Sequence, residues 1–351
     1  MVTKIVKIND CITDVEILEE AGNIIKKGGL VAFPTETVYG LGGDALAQES
    51  CEKIYLAKGR PSDNPLIVHI AKLEDIDYIV KKRTDKAGKL AKEFWPGPLT
   101  MILEKSENVP HTTTGGLDTV AVRMPQNELA LKFIELAGGY VAAPSANLSG
   151  RPSPTTSKHV IDDMYGRIDM IIDSDVADIG IESTIIDLTT DIPMILRPGA
   201  ISLDMIKGVI GDTIYDPAII KVEGDARPKA PGMKYKHYAP KADLTIIEGD
   251  TELVYSRINK LANIQMKKGE KVGIICASET KSKYVGDIIK DIGSRNNEKI
   301  IAKNLYSILR EFDDEEVSVI YSESFEVGGI GQAIMNRLLK AAGYQVEKVK
   351  G

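Results

Sequence analysis

The stretch Leu30–Ala45, LVAFPTETVYGLGGDA, sets the reading of the fold. Its first four residues are an apolar run closed by Pro34, which predicts a short buried strand opening into a loop. Two hydroxyls, a carboxylate and a phenol then follow in a glycine-rich segment, and loops at strand ends are where α/β proteins bind ligands. Thr35 and Thr37 share a side if the backbone stays extended. The competing expectation is turn chemistry, with the threonines hydrogen-bonding nearby amides and Gly40, Gly42 and Gly43 supplying bends.

Upstream of that stretch, Val15, Leu18, Ala21 and Ile25 recur at helical spacing until Gly28 and Gly29 end the pattern. Downstream, the alternation continues with a helix near Glu49–Ala57, a strand LIVHI (Leu66–Ile70) and a helix before Trp95. Strands follow around TMIL (Thr100–Leu103) and TVAVR (Thr119–Arg123), and then around MII, STIIDL and MILRP. This is a mixed α/β domain over residues 1–203. Between about Val222 and Ala242 the periodicity fails and Pro228, Pro231, Gly232 and Pro240 punctuate the chain, so residues 204–242 read as a linker. Its part 227–241 carries Arg227, Lys229, Lys234, Lys236 and Lys241 and no acidic residue. Beyond it, over 243–351, LTIIE, VGIIC, KIIA and VSVIY alternate with helical stretches. That alternation predicts a smaller Rossmann-like domain on a parallel sheet.

A length of 351 residues allows two domains, each with its own core. The net charge of −7 and the 5% of aromatic residues argue against a surface that grips a nucleic-acid backbone, so no stable nucleic-acid binding is expected. Three scattered cysteines, Cys11, Cys51 and Cys276, form neither a disulfide framework nor a zinc spacing and fit a reducing cytoplasm. No segment approaches membrane-spanning length, and the N-terminus does not read as a signal peptide.

Four further clusters bear chemistry. KGRPSDNP (Lys58–Pro65) places Lys58, Arg60 and Asn64 in a Pro-containing loop, either an anion clamp or a solvated basic loop. His69 sits inside an apolar strand, where a satisfied core histidine is the commoner case. Arg123 ends its strand just before Pro125. APSANLSGRPSPT (Ala143–Thr155) gathers Ser145, Asn147, Ser149 and Ser153 in a small-residue loop whose amides can approach an oxyanion. ESTIIDL and ILRPGAIS add Ser183, Thr184 and Arg197 at strand edges. No GxxxxGK[ST], HExxH or CxxC occurs, and VGGIGQAI (Val327–Ile334) lacks the third glycine of a dinucleotide fingerprint.

Taken in order, PTETVYGLG, KGRPSDNPL, HI, VRMP, PSANLSG, ESTIID and LRPG resemble the Sua5/YrdC family of threonylcarbamoyl-AMP synthases, over about Val15–Leu203. PGMKYKHYAP looks like the linker of the longer, two-domain members, and GGIGQAIMNRLLKAA like the end of their C-terminal domain. The resemblance implies a YrdC-like twisted open mixed sheet with a concave cationic cavity, followed by the smaller Sua5 C-terminal domain. It implies synthesis of threonylcarbamoyl-adenylate and pyrophosphate from ATP, L-threonine and bicarbonate. The product would serve N6-threonylcarbamoyladenosine formation in tRNAs reading codons that begin with A, through threonylcarbamoyl-transferase partner proteins.

Carried over residue by residue, the resemblance assigns threonine binding to Thr35, Thr37, His69, Arg123, Ser183 and the peptide group at Ala143. It assigns ATP to Lys58, Arg60, Asn64, Thr119, Ser145, Asn147, Ser153, Arg197 and, in the linker, Tyr238, with His237 and Tyr235 as the alternatives beside it. Mg²⁺ is expected to accompany ATP, with no organic cofactor. The nucleophile that attacks the α-phosphate is already anionic, so positioning and positive charge suffice for that step. The earlier carboxylation needs a neutral amine, and His69 is the titrating side chain expected to take its proton, the alternative being a phosphate oxygen with His69 serving only to bind. The basic segment 227–241 would close as a lid that excludes water. The alternatives are an RNA-binding module and a carbamoyl-adenylate enzyme with another acceptor.

Overall fold

The computed structural model describes residues 1–350 other than 9, 175 and 220–237. Two compact units emerge, Met1–Ser149 with Ser153–Lys234, and Gly150–Pro152 with Tyr235–Gly351. The basic segment assigned to a lid falls largely outside the described residues.

In chain order, the strands of the first unit are β1 (Lys4–Lys7), β2 (Val31–Phe33), β3 (Gly40–Asp44), β4 (Ile67–His69), β5 (Leu99–Glu104) and β6 (Thr119–Arg123). They continue with β7 (Val141–Ala142), β8 (Met170–Asp173), β9 (Thr184–Asp187), β10 (Met194–Arg197) and β11 (Ile214–Tyr215). All eleven join one sheet, ordered β1-β8-β2-β3-β7-β4-β6-β5-β9-β10-β11. It is open and mixed: β2 runs antiparallel to β3, β5 to β6 and β9 to β10, whereas β4 runs parallel to β6 and β5 to β9.

Strand β2 shows why its sequence is a continuous apolar run. Leu30 and Ala32 enter one core cluster, with Tyr39, Leu41 and Ile54, while Val31 and Phe33 enter another, with Leu18, Ile25 and Phe133. Both faces of this central strand are covered, so alternation with polar residues is lost. Burying one such side chain contributes about 1.5–3 kcal/mol.

The glycine-rich segment expected to bend is instead strand β3, and none of Gly40, Gly42 or Gly43 has positive φ. Its glycines serve close approach. A Cβ on Gly42 would lie 2.9 Å from Val141 Cγ1, and one on Gly43 would lie 2.8 Å from Ser50 Oγ.

Residues 204–219, placed in the linker from sequence, pack with the first unit. Ile201, Ile206 and Ile219 join its main core cluster, and β11 pairs with β10. The short apolar run between Leu203 and Ile210 is an amphipathic helix, capped by Ser202 and burying Ile206.

The second unit has five strands: β12 (Asp243–Glu248), β13 (Val272–Ala277), β14 (Ile288–Gly293), β15 (Val319–Glu323) and β16 (Val346–Lys348). All neighbouring pairs are parallel, in the order β14-β13-β15-β12-β16. Counted within the unit, that order is 3-2-4-1-5. It has the layered character expected but not the Rossmann 3-2-1-4-5 order.

One strand assignment moves. KIIA lies in the helix Glu298–Asp314, which Asn297 caps by accepting from Ile300 N–H and which buries Ile301, Leu305 and Leu309 along one face. The strand is Ile288–Gly293, whose half-buried residues gave a weak apolar signal. The turn Gly328–Gly331 does connect a strand to a helix, Gly331–Ala341, with Gly329 at φ +51°. The tripeptide Gly150–Pro152 is held inside the second unit, where the Arg310 guanidinium donates to Pro152 O at 2.6 Å.

Candidate active site

Strand alternation sorts the first unit's functional side chains onto one face of the sheet. Val68, Val120, Val122, Met101 and Ile186 point into the main core. Ile67, Ile102, Ala121, Ile185 and Leu196 form a separate small cluster on the opposite side, contributed wholly by strands. By the period of two, His69 follows Ile67 and Arg123 follows Ala121 onto that second face. The strands β4 and β6 set these two residues side by side, in the register His69↔Arg123.

Arg197 reaches the same place by an irregularity. The register between β9 and β10 slips between Ile195 and Arg197. A bulge of this kind re-aims a side chain, and Arg197 Nε donates to Ser183 O at 3.0 Å while its Nη2 donates to Ser183 Oγ at 3.1 Å. Ser183 Oγ also lies 2.8 Å from Thr100 Oγ1. Gly199 permits this crowding, since a Cβ there would sit 2.4 Å from the Thr184 nitrogen and 2.8 Å from the Ser183 carbonyl carbon.

The loop between β2 and β3 hangs over this face and is tied by its backbone. Ile179 N–H donates to Glu36 O at 2.9 Å, and Gly180 N–H donates to Thr37 O at 3.1 Å. Thr35 is spent within the turn. Its hydroxyl donates to Val38 O at 2.6 Å and accepts from the amides of Thr37 and Val38. With that proton committed, Thr37 Oγ1 must be the donor in the 2.9 Å contact with Thr35 Oγ1, which leaves Thr37's lone pairs for a ligand. The turn reading therefore holds for Thr35, and Thr37 is the member of the pair with capacity to spare. Ala143 N–H is likewise spent on Ile67 O at 2.8 Å, so its carbonyl is what that peptide offers.

His69 is fully enclosed by the protein. Burial first, then the nearby Arg123 guanidinium, pushes its pKa down to about 3, with Arg197 adding to the effect against bonds to the Ile67 and Val141 carbonyls. The ring is a neutral imidazole, its Nδ1 3.1 Å from Ile67 O. Its Nδ1 is engaged by that carbonyl and burial disfavours its protonated form, which weighs against the general-base role expected of His69.

Glu36, passed over in the sequence, lies in this cluster. Its carboxylate is buried, with Oε2 2.8 Å from Arg123 Nη2 as an ion pair lacking hydrogen-bond alignment. Arg123 Nε is 3.4 Å from Gly97 O. The only sequence signal for Glu36 was a carboxylate caught between two threonines in an otherwise apolar strand-end loop.

The residues assigned to ATP form a neighbouring group. Ser145 Oγ donates to Asn147 Oδ1 at 2.5 Å, and Gly40 bridges to Ser145, which lays this loop along the start of β3. Lys58 is almost wholly buried and its ammonium donates to Ser145 O and Asn147 O, each at 2.5 Å. Two of its three donors thus hold the shape of the cradle loop. Ser153 donates to the buried Glu182, a second carboxylate that the sequence reading omitted. Arg60 Nη2 donates to Pro65 O at 3.2 Å, and the Asn64 Oδ1 beside it is buried with no hydrogen-bond partner among the described residues.

Thr119 stands at the other end of β6 from Arg123, paired with Glu104, on a groove of about 990 Å³ that Lys81, Lys105, Asn108 and Asp118 also line. Four strand steps of about 3.3 Å separate it from Arg123, so it belongs to the cluster only for a ligand as extended as a nucleoside triphosphate. Tyr238 is not part of the first unit. Its ring, at φ +65°, packs 5.2 Å from that of Tyr306 and lies under the Arg337 guanidinium in the second unit. Among the described residues, no group of three or more histidine, cysteine, aspartate or glutamate side chains could hold a metal ion, so the protein builds no metal cage of its own there.

Two family models cover most of the chain. The one described as "Telomere recombination", Sua5_yciO_yrdC, matches residues 23–199, and the one described as "Threonylcarbamoyl-AMP synthase, C-terminal domain" matches residues 201–343. A threonylcarbamoyl-AMP synthase of Pyrococcus abyssi is 48% identical over 350 residues, which cover 99% of this chain and 100% of that protein. One from Bacillus subtilis is 46% identical over 94% of each. The crystal structure of P. abyssi Sua5 complexed with L-threonine superposes with a TM-score of 0.93, at 47% identity and over 100% of both chains. With likeness of that depth along the whole chain, this protein belongs to the Sua5/YrdC family of threonylcarbamoyl-AMP synthases.

Proposed function

We infer that the first unit condenses ATP, L-threonine and bicarbonate into threonylcarbamoyl-adenylate, releasing pyrophosphate and water, as a nucleotidyltransferase. The observation that carries this reading is the grouping of His69, Arg123, Ser183 and Arg197 on one sheet face, met by the Thr37-bearing loop through Glu36 and Arg123, in a chain so like a relative crystallised with L-threonine.

Arg123 presents a buried guanidinium to the threonine carboxylate, and Thr37 and the Ala143 carbonyl accept hydrogen bonds from its polar groups. His69, neutral, supplies shape and a fixed polar edge. Once the amine carries a carboxylate, that oxygen attacks the α-phosphorus and the bond to the pyrophosphate oxygen breaks. The step needs in-line placement and positive charge rather than a proton relay. Arg197 and Arg60 supply the charge, and the loop of Ser145, Asn147 and Ser153, propped by Lys58, positions the nucleotide. Mg²⁺ would come with the phosphates, since that ion is commonly held by one or two carboxylates and substrate oxygens. The product then passes to threonylcarbamoyl-transferase proteins that modify adenosine in tRNA. A cytoplasmic setting fits the three free cysteines and the lack of any described helix long and apolar enough to cross a membrane.

Pyrophosphate release tests the reading. It should require ATP, L-threonine and bicarbonate together. Release that ignores threonine points to an enzyme with another acceptor, and no release under any combination points to an RNA-binding module.

A further inference from the structure

Carboxylation of threonine starts from an ammonium, and the described site offers few acceptors for its proton. His69 is neutral and turned to a backbone carbonyl. Glu182 already accepts from Ser153. Glu36 remains. It is 6% exposed, both carboxylate oxygens are buried without a hydrogen-bond partner among the described residues, and its ion-pair contact is the same Arg123 that faces the threonine carboxylate. A buried carboxylate left without aligned donors costs free energy unless a ligand completes it. A zwitterion does so in a complementary way: its carboxylate takes Arg123 and its ammonium takes the unoccupied Glu36 oxygens.

We propose that Glu36 is the catalytic base of the carboxylation step, binding the threonine ammonium and accepting its proton. The inference rests on the reading given under Proposed function. In the step, an N–H bond of the ammonium breaks, the proton goes to a Glu36 oxygen, and the freed nitrogen pair forms a bond to the bicarbonate carbon. Water departs with the bicarbonate hydroxyl and the second nitrogen proton, which leaves the N-carboxylate and a protonated Glu36. The charged group in contact with Glu36 is Arg123 on β6, which pairs in register with neutral His69 on β4, and the loop whose Ile179 amide binds Glu36 O carries Asp178 and Glu182.

The test uses the full chain and follows pyrophosphate release with ATP, L-threonine and bicarbonate from pH 6.5 to 9.5, with threonine affinity measured separately by calorimetry. Glu36→Gln should lower kcat about 100-fold or more near neutral pH. Its rate should then climb about tenfold per pH unit while the amine loses its proton to solvent, a climb the unaltered protein does not show. Glu36→Asp, which keeps a base at a shifted position, should be slower yet keep the unaltered protein's pH profile, and it carries the test if Glu36→Gln does not fold. A Glu36→Gln rate within about threefold of the unaltered protein overturns the proposal, as does a loss equal at every pH, or a steep climb with pH in Glu36→Asp. Failure of the unaltered protein to release pyrophosphate in a threonine-dependent way overturns the functional reading itself and the base role with it.

Discussion

At the residue scale, His69 shows how burial converts a candidate catalyst into a reporter. Its pKa falls from 6.5 to about 3 because the protein excludes water from it and sets Arg123 and Arg197 nearby. Between those two values the unfolded chain binds a proton that the folded chain does not. Unfolding is therefore favoured as pH falls through this window, and stability rises with pH across it. Replacing His69 by Gln should remove up to about 1.4 kcal/mol of stability change per pH unit between pH 6 and 4. Urea titrations of both proteins at several pH values would measure this, and parallel lines would mean that His69 is protonated when folded. Arg123, Arg197 and Ser183 were visible in the sequence as residue types at strand edges, and Glu36 only as a carboxylate between two threonines. Which of them touch was not, because each contact joins positions 14 to 87 residues apart in the chain.

At the element scale, the PTETVYG loop is shaped by two strands and a remote loop acting together. The short β2 delivers it, Thr35 closes its turn, and the amides of Ile179 and Gly180 clamp it. Strand β3, on its far side, depends on glycines for space. Gly42→Ala would drive a Cβ against Val141 Cγ1, Phe33 and Val31 O at 2.9–3.2 Å, and Val141 is a stiff, buried β-branched neighbour. Overpacking here should cost about 1–3 kcal/mol, seen as a fall of several degrees in Tm. A Tm within a degree of the unaltered protein would show that the sheet yields there. The glycine run misled a turn-based reading because glycine allows close approach as readily as it allows bends, and local sequence does not say which is needed. KIIA and IIKDIG carry the same ambiguity: short apolar runs fit helix or strand, and only the Asn297 cap and the one-sided burial of the following helix decide.

At the scale of the whole molecule, each unit carries its own core and its own sheet. The first unit extends past the boundary expected at residue 203, through the helix Leu203–Ile210 and β11. A fragment of residues 1–219 should thus fold with one cooperative transition, whereas one ending at 203 would strip Ile206 and Ile219 from the core and melt lower. Calorimetry on the two fragments separates the cases, and equal melting temperatures would place the boundary back at 203.

The sequence by itself determined the α/β class, the presence of two domains, the family and most of the polar residues from which the site is built, the carboxylates Glu36 and Glu182 excepted. Periodicity and motif order are local properties, written into neighbouring positions. Tertiary structure alone decided the division of labour within the site. Lys58 props a loop, Thr35 closes a turn, His69 is a neutral wall, Arg197 arrives through a bulge and Glu36 faces Arg123. These outcomes depend on which groups lose water and which charges are brought within contact by distant strands, and both are set by the packed chain as a whole.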